Sequence, residues 1–392
     1  MPALIDVQPG PPSPCLGLSH IIHMAYDGQD LTLLANSLTQ RCLAAIPDPG
    51  AVFDFATVMQ TRGGPVAAEA ICMLSRITTR QPSFQIVHGN GSGPRLLALM
   101  TQGDFMANTP VDFLLNGSDA VLIQHYVTAD TGHLDLPPHD VAILAVAQSD
   151  QTAPVLANLS RLLARHPGPV LNNAALIADL TRDHVSALLA DEPSILAPRT
   201  RRLHRRDLTA DLPFPVLLRP IGSHAGEGLG RVAEQGDLSH WLAAHPEPEV
   251  YVAPFIDYRG TDRLFTKFRV VLIAGRPFAS HRAASDHWMV HYLNAEMWSH
   301  ADRRAAEADW MASFDTDFAA RHAEAFAALH RIFGLDYFGI DCAETADGRL
   351  LVFEVDTAMI VHDMDDAAMF PYKKPAMKKL FDGFLRAVTE AA

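Results

Sequence analysis

A glycine-rich stretch, FPVLLRPIGSHAGEGLG (214–230), combines a permissive backbone with polar side chains. Glycine adopts positive φ without steric cost and lets the backbone approach a ligand, so consecutive N–H groups can point at phosphate oxygens. The positions that we expect to contact phosphate are Arg219, Ser223, His224, Gly226 and Gly228. The stretch has neither the Walker pattern nor the dinucleotide fingerprint. It predicts a phosphate-binding loop, and a purely structural hairpin is the alternative.

Three carboxylates lie further along the chain, in YFGIDCAETADGRLLVFEVDTAM (337–359). Glu354 and Asp356 are two residues apart and therefore project from one face of a strand. Asp341 joins them if the two apolar runs pair across the turn at 346–348. Converging carboxylates repel unless a cation lies among them, and oxygen ligands without His or Cys select Mg²⁺ or Mn²⁺, which bridge nucleotide phosphates. The pattern predicts a metal site, and a solvent-facing acidic strand edge is the alternative.

Two arginines, Arg269 and Arg282, lie on apolar runs between these motifs. A guanidinium binds phosphate oxygens through parallel hydrogen bonds, so we interpret both as phosphate clamps, with surface arginines as the alternative. The next stretch, ASDHWMVHYLNAEMW (284–298), is either a loop that caps the core or a loop that binds a second substrate. Its candidate substrate-binding residues are Asp286, His287, His291 and Asn294.

The patterns around these motifs predict an α/β and α+β chain. Apolar residues spaced three and four apart indicate short helices within residues 1–84, a segment that forms either a helical cap or a dimerisation element. Residues 85–190 alternate strand-like runs, among them RLLALM, VDFLLN and DVAILAVA, with helical stretches. That alternation is typical of a doubly wound parallel sheet. The remainder predicts strands with glycine-rich turns, then helices, a further strand pair and a terminal helix.

The composition excludes several classes of function. The chain has 392 residues, 48% of them hydrophobic, and a formal charge of −14 from 31 basic and 45 acidic residues. This negative surplus gives no basis for general binding to nucleic acid or to anionic membranes. No apolar run approaches the roughly 18–20 residues that cross a bilayer. Since the four cysteines are far apart, a reducing compartment fits best, and we expect a soluble, cytoplasmic protein.

The order of these motifs resembles the ATP-grasp superfamily, and within it the branch of glutathione synthetases and ribosomal-protein glutamate ligases. The resemblance covers roughly residues 170–360. It implies that the helical segment precedes a pre-ATP-grasp α/β domain at 85–190 and an ATP-grasp fold of two α+β subdomains, at 191–256 and 257–392. The nucleotide-binding residues that it implies are His184, Arg219, Ser223, His224, Gly226, Gly228, Tyr251, Val252, Ala253, Phe255 and Arg269. Asp341, Glu354 and Asp356 match the family's magnesium ligands.

The resemblance implies an ATP- and Mg²⁺-dependent ligase that joins a carboxylate to an amine through an acyl phosphate and releases ADP and phosphate. Arg269 and Arg282 are the implied catalytic residues, with Arg282 stabilising the oxyanion. The expected partners are small-molecule substrates, an amino acid or a peptide, without nucleic acid or membrane, and a homodimer stays open. Because His184 and Arg219 stand where the family has lysines, the alternative is a nucleotide-binding protein with a regulatory or docking role and no ligase activity.

Overall fold

The computed structural model describes residues 10–208, 212–223, 226–291 and 295–392. The chain divides into two units. The first runs to Ala178 and also contains Thr357–Asp366 and Met377–Ala392, and the second comprises Asp179–Asp356 and Ala367–Ala376. The four-part division predicted from the sequence stays a prediction.

The first unit contains a six-stranded sheet and a group of helices near the start of the chain. Its elements are β1 (Ser13–Pro14), α1 (Leu18–Tyr26), α2 (Thr32–Cys42), α3 (Pro49–Gln60), α4 (Gly64–Arg80), β2 (Ser83–Val87), β3 (Arg95–Met100), α5 (Val111–Leu114), β4 (Val121–Tyr126), β5 (Val141–Leu144), α6 (Ala153–Leu163), β6 (Val170–Leu171) and α7 (Ala174–Ala178). Helix α3 illustrates the local logic, because Asp48 accepts hydrogen bonds from the N–H groups of Gly50 and Ala51 and thereby caps its first turn.

The sheet of the first unit has the order β1-β2-β4-β3-β5-β6. Strands β4, β3, β5 and β6 pair in parallel, as predicted, whereas β2 runs antiparallel to β4. The apolar run VDFLLN contains helix α5 rather than a strand. All four residues of this helix are buried, and a short apolar run does not distinguish a buried helical turn from a buried strand.

The second unit contains two further sheets. Its elements are α8 (Arg182–Leu188), β7 (Ile195–Leu196), β8 (Arg201–His204), β9 (Val216–Pro220), β10 (Gly230–Val232), α9 (Gln235–Ala244), β11 (Glu249–Pro254), β12 (Phe265–Ile273), β13 (Arg276–Ser285), α10 (Ala301–Ser313), α11 (Phe318–Arg321), α12 (Ala323–Phe333), β14 (Tyr337–Glu344) and β15 (Leu350–Asp356). The sheet orders are β10-β9-β11-β8 and β13-β12-β14-β15-β7. Helix α13 (Lys373–Ala391) begins in the second unit and continues in the first.

Along the strands of the second unit, side chains alternate between a face that packs in the core and the opposite face of each sheet. In the four-stranded sheet, Leu218 and Val252 pack in a core with Trp241 of α9. In the five-stranded sheet, Phe268 packs against Trp310 and Phe318 of the helical layer. Because side chains alternate with a period of two, the neighbours of these residues point to the opposite faces. The predicted α/β and α+β fold class is confirmed. None of the helices formed by the described residues has the length and apolar character needed to cross a membrane.

Candidate functional site

The second unit contains a cavity of about 230 Å³ that is lined by residues of both its sheets. The residues of this lining that the sequence predicted are Arg219, Gly226, Tyr251, Ala253, Phe255, Arg269, His291, Asp341 and Glu354. One end of the cavity is charged and the other is largely apolar. The cavity therefore brings the predicted glycine loop and the predicted acidic strands to a common space.

Asp341 lies at the charged end of the cavity and is paired with two cations. Nζ of Lys267 is 2.9 Å from Oδ2 of Asp341, and the Arg269 guanidinium donates to both carboxylate oxygens at 2.8 and 3.1 Å. Arg269 lies directly opposite Asp341 in the β12–β14 register, and Lys267, two residues earlier, shares its face. Burial alone would raise the pKa of Asp341, but Arg269 and Lys267 hold that pKa well below its usual range.

Glu354 lies opposite Asp341 across β14 and β15 and pairs with Arg182 at the start of α8. Burial opposes ionisation of Glu354, whereas Arg182 and Arg219 lower its pKa. Arg182 is a cavity residue that the sequence analysis missed, whereas the predicted His184 on the same helix is exposed and outside the lining. Helical spacing could have indicated Arg182, because it lies three residues before the buried Val185 and therefore on the same face of the helix.

Arg219 connects β9 to the glycine loop. Its Nε donates to Oγ of Ser223 at 3.0 Å and its Nη2 donates to the Ser223 carbonyl at 2.6 Å. Burial and the neighbouring Arg182 lower the pKa of Arg219 to about 10, so its guanidinium stays charged at neutral pH. Gly226 and Gly228 have φ of 81° and 66°, the left-handed region that favours glycine. The predicted His224 lies outside the described residues.

The apolar end of the cavity is formed by β11 and the segment that follows it. Tyr251 and Ala253 line the cavity, whereas Val252 between them points into the core on the opposite face of the sheet. Phe255 continues the lining and meets Trp288 edge-on, with ring centroids 6.1 Å apart. The side chain of Val252 therefore does not face the cavity. Only the backbone groups of Val252 could make the predicted contact with a nucleotide.

Several predicted residues lie outside the cavity lining that the described residues form. Arg282 faces Phe268 across the β12–β13 hairpin, on the sheet face opposite Arg269, and its backbone N–H donates to Glu307 at 2.8 Å. Because hairpin register sets this face, the structure does not bring Arg282 to the cavity lining, and its role at the reacting centre stays a prediction. The other predicted residues outside the lining are His184, Ser223, Gly228, Val252, Asp286, His287 and Asp356. The predicted Asn294 lies outside the described residues.

The segment after β13 lines the cavity mainly through residues that were not predicted to bind substrate. Asp286 and His287 are exposed, whereas Trp288, Met289, Val290 and His291 line the cavity. Burial lowers the pKa of His291, and Lys267 and Arg269 lower it further. Lys267 is the other lining cation that the sequence analysis did not assign to the site. Its two-residue spacing from Arg269 could have indicated it, because residues two apart on a strand share a face.

Two of the three predicted metal ligands, Asp341 and Glu354, line the cavity, and Asp356 does not. Within the described part of the chain, no group of three His, Cys, Asp or Glu side chains is arranged to hold a metal ion, so the predicted trio with Asp356 is not assembled. Asp341 and Glu354 alone remain in register at the cavity. Mg²⁺ commonly takes one or two protein carboxylates and completes its shell with phosphate oxygens and water. The donor set therefore fits a hard divalent ion that binds together with phosphate.

The chain is similar to several solved structures. No protein-family model matches the chain, and the comparison with curated proteins gives no match. The chain is similar to the structure of a RimK domain protein ATP-grasp from Sphaerobacter thermophilus, at 18% identity over 75% of this chain and 99% of that one, with a TM-score of 0.45. It is also similar to D-alanine–D-alanine ligase from Bacillus anthracis, at 15% identity over 76% and 97%, with a TM-score of 0.43.

A third similar structure is the VanG D-Ala:D-Ser ligase from Enterococcus faecalis, at 13% identity over 76% of this chain and 100% of that one, with a TM-score of 0.46. These are three of the structures that the chain resembles. At TM-scores below 0.5 and identities below 20%, the resemblance assigns no activity, substrate or metal to this chain. Its function has to be argued from the cavity itself.

Proposed function

We propose that the protein is an ATP-dependent ligase that joins a carboxylate to an amine through an acyl phosphate. The observation that carries the proposal is a cavity with a cation-rich end next to an apolar end. Its cationic lining residues are Arg182, Arg219, Lys267 and Arg269, and its acidic lining residues are Asp341 and Glu354. The described lining thus has two more cations than carboxylates, in a chain whose formal charge is −14. A polyanion with an apolar, planar part fits both ends.

A purine nucleotide triphosphate has this division of chemistry. Its base would contact Ala253, Phe255 and Ile256 at the apolar end, where backbone groups after β11 can bond the edge of the base. Its phosphates would lie against Arg219 and Arg269, whose guanidinium groups bind phosphate oxygens in pairs. A metal held by Asp341 and Glu354 would neutralise part of the phosphate charge when bound.

The chemistry that such a site supports is phosphoryl transfer to a carboxylate followed by acyl transfer. A substrate carboxylate oxygen attacks the γ-phosphorus, the bond from that phosphorus to the β–γ bridging oxygen breaks, and ADP leaves. A neutral amine then attacks the acyl carbon, and phosphate leaves with the C–O electron pair while the amine loses a proton. Arg219 and Arg269 are fixed cations in this scheme, so their contribution is orientation and charge stabilisation rather than nucleophilic attack.

The second substrate would bind next to the segment 288–291. Trp288, Met289 and Val290 give this side of the cavity apolar surface, and His291 adds a polar group. The placement agrees with an amino acid or a short peptide, which combines an apolar side chain with polar ends. A cytoplasmic location remains part of the proposal, and a homodimer stays open.

The test is release of ADP and phosphate with ATP, Mg²⁺ and a panel of amino-acid pairs, with amide products read by mass spectrometry. ADP release that needs both a carboxylate and an amine supports the proposal. Arg269→Met should reduce it strongly, whereas Arg276→Met is the matched control, because Arg276 is exposed at the end of the same hairpin. Ligation that survives Arg269→Met unchanged would contradict the assignment of the cavity.

A second candidate is nucleotide binding without ligation. It is favoured by the ion pairs of Asp341, whose two carboxylate oxygens are already bonded to Lys267 and Arg269. If these pairs persist when nucleotide binds, Asp341 is not a metal ligand and turnover is not expected. Saturable binding of ATP with no ADP release across the whole panel would establish this candidate in place of the ligase.

A further inference from the structure

The two cations paired with Asp341 differ in how many of its carboxylate oxygens they bond: Arg269 bonds both, and Lys267 bonds one. Among the described residues, Oδ1 of Asp341 is bonded only to Nε of Arg269, at 2.8 Å. Oδ2 is shared, with Nη2 of Arg269 at 3.1 Å and Nζ of Lys267 at 2.9 Å. Loss of the Lys267 bond therefore leaves both carboxylate oxygens bonded to a cation. Departure of Arg269 would instead remove the bond to Oδ1, so Lys267 is the cation that can leave while both oxygens of Asp341 stay bonded.

The side chain of Lys267 suits a change of partner. It ends in a single ammonium on a flexible four-carbon stem, whereas Arg269 contacts the carboxylate through a planar fork. Lys267 lines the cavity itself, so an anionic ligand there would offer its ammonium a new partner without a large movement of the strand. The side chain of Lys267 is 14% exposed, against 7% for Asp341.

We propose that Lys267 is an internal counter-ion of Asp341 that is exchanged when a metal–nucleotide complex binds. This inference rests on the proposed nucleotide site. Before binding, Lys267 neutralises Asp341 and competes with a divalent ion for Oδ2. With a metal–nucleotide complex bound, Asp341 would hold the metal and the ammonium of Lys267 would pair with a phosphate oxygen. Metal alone then binds weakly, and metal and nucleotide each strengthen the binding of the other.

Reciprocity makes the coupling measurable from either ligand, because each must raise the affinity of the other by the same factor. Mn²⁺ is a suitable probe, since it takes oxygen ligands as Mg²⁺ does and is paramagnetic. Its binding is measured by electron paramagnetic resonance on the full chain, alone and with a non-hydrolysable ATP analogue. In the parent chain we expect weak binding of Mn²⁺ alone and much tighter binding with the analogue.

Lys267→Met removes the counter-ion while Arg269 still pairs with Asp341. A charge-assisted hydrogen bond contributes enough that its loss should tighten the binding of Mn²⁺ alone about 10-fold and reduce the coupling to the analogue by a similar factor. Lys267→Gln should change both in the same direction, whereas Lys267→Arg keeps the positive charge and should keep the binding of Mn²⁺ alone weak. Lys374→Met, at an exposed lysine of the same unit, is the control.

The double variant Lys267→Met/Asp341→Asn assigns the effect to Asp341, because the gain in Mn²⁺ affinity must disappear when the carboxylate is absent. If Lys267→Met and Lys267→Gln both leave the affinity for Mn²⁺ alone unchanged, the counter-ion inference is wrong, whatever the analogue does. If instead the parent chain binds no ATP analogue with or without Mn²⁺, the proposed function fails, while the Mn²⁺ measurement still decides the role of Lys267.

Discussion

Replacing Asp341 by asparagine tests how much the ion pairs at the charged end of the cavity stabilise the protein. The side chain of Asp341 is 7% exposed, and those of Lys267 and Arg269 are 14% and 19% exposed. Breaking a fully buried pair costs about 3–5 kcal/mol, whereas an exposed pair contributes at most about 1 kcal/mol. At this intermediate exposure, and because asparagine keeps a hydrogen-bond acceptor, we expect Asp341→Asn to lower the free energy of unfolding by about 2–3 kcal/mol.

Equilibrium unfolding in urea, followed by circular dichroism, measures this loss for Asp341→Asn, for Lys267→Met and for the double variant. The double variant lacks one of the cations that Asp341→Asn leaves uncompensated, so its loss should be smaller than the sum by about 1 kcal/mol or more. Asp382→Asn breaks an exposed pair with Lys378 and should change stability by less than about 0.5 kcal/mol. A parent-like Asp341→Asn variant, or losses that simply add, would refute the reasoning.

Three further predictions follow from other parts of the chain. Arg182→Met should weaken binding of a fluorescent ATP analogue about 10-fold by removing a charged contact, while His184→Met leaves it unchanged; the reverse order would restore His184 to the site. Burial raises the pKa of Asp54 to about 6, so the folded chain holds this proton more tightly than the unfolded chain. Stability should therefore fall by up to about 3 kcal/mol as the pH rises from about 4 to 6, and Asp54→Asn should flatten that part of the unfolding profile. Gly228→Ala combines φ of 66° with a Cβ that would lie 2.7 Å from a Pro220 carbon, so it should lower both the melting temperature and the affinity for ATP.

Strand patterns predicted the part of the site that alternation determines. The pairing of the two acidic runs across a turn, and the shared position of Asp341 and Glu354, follow from period-two geometry, and the register places the two residues directly opposite each other. The same rule separates Tyr251 and Ala253 from Val252, although the sequence analysis assigned all three to the site. Here the local sequence is sufficient, because one short turn joins β14 to β15.

Other parts of the site depend on information that a motif does not contain. The face of Arg282 depends on the register of the β12–β13 hairpin, which has a bulge between Arg269 and Val270. The choice between Arg182 and His184 depends on which face of a seven-residue helix is buried. Ion-pair partners are also a tertiary property, so the pairing of Lys267 with Asp341 followed only from the structure.

The most direct test of the central claim, that the cavity of the second unit binds a nucleotide triphosphate, is hydrogen–deuterium exchange with and without MgATP. We expect MgATP to slow exchange in peptides spanning residues 215–223 and 250–258, because β9, its loop and the strand end after β11 line the cavity. The protection should be lost in Arg269→Met and kept in Arg276→Met. Unchanged exchange in both peptides at saturating MgATP would contradict the claim.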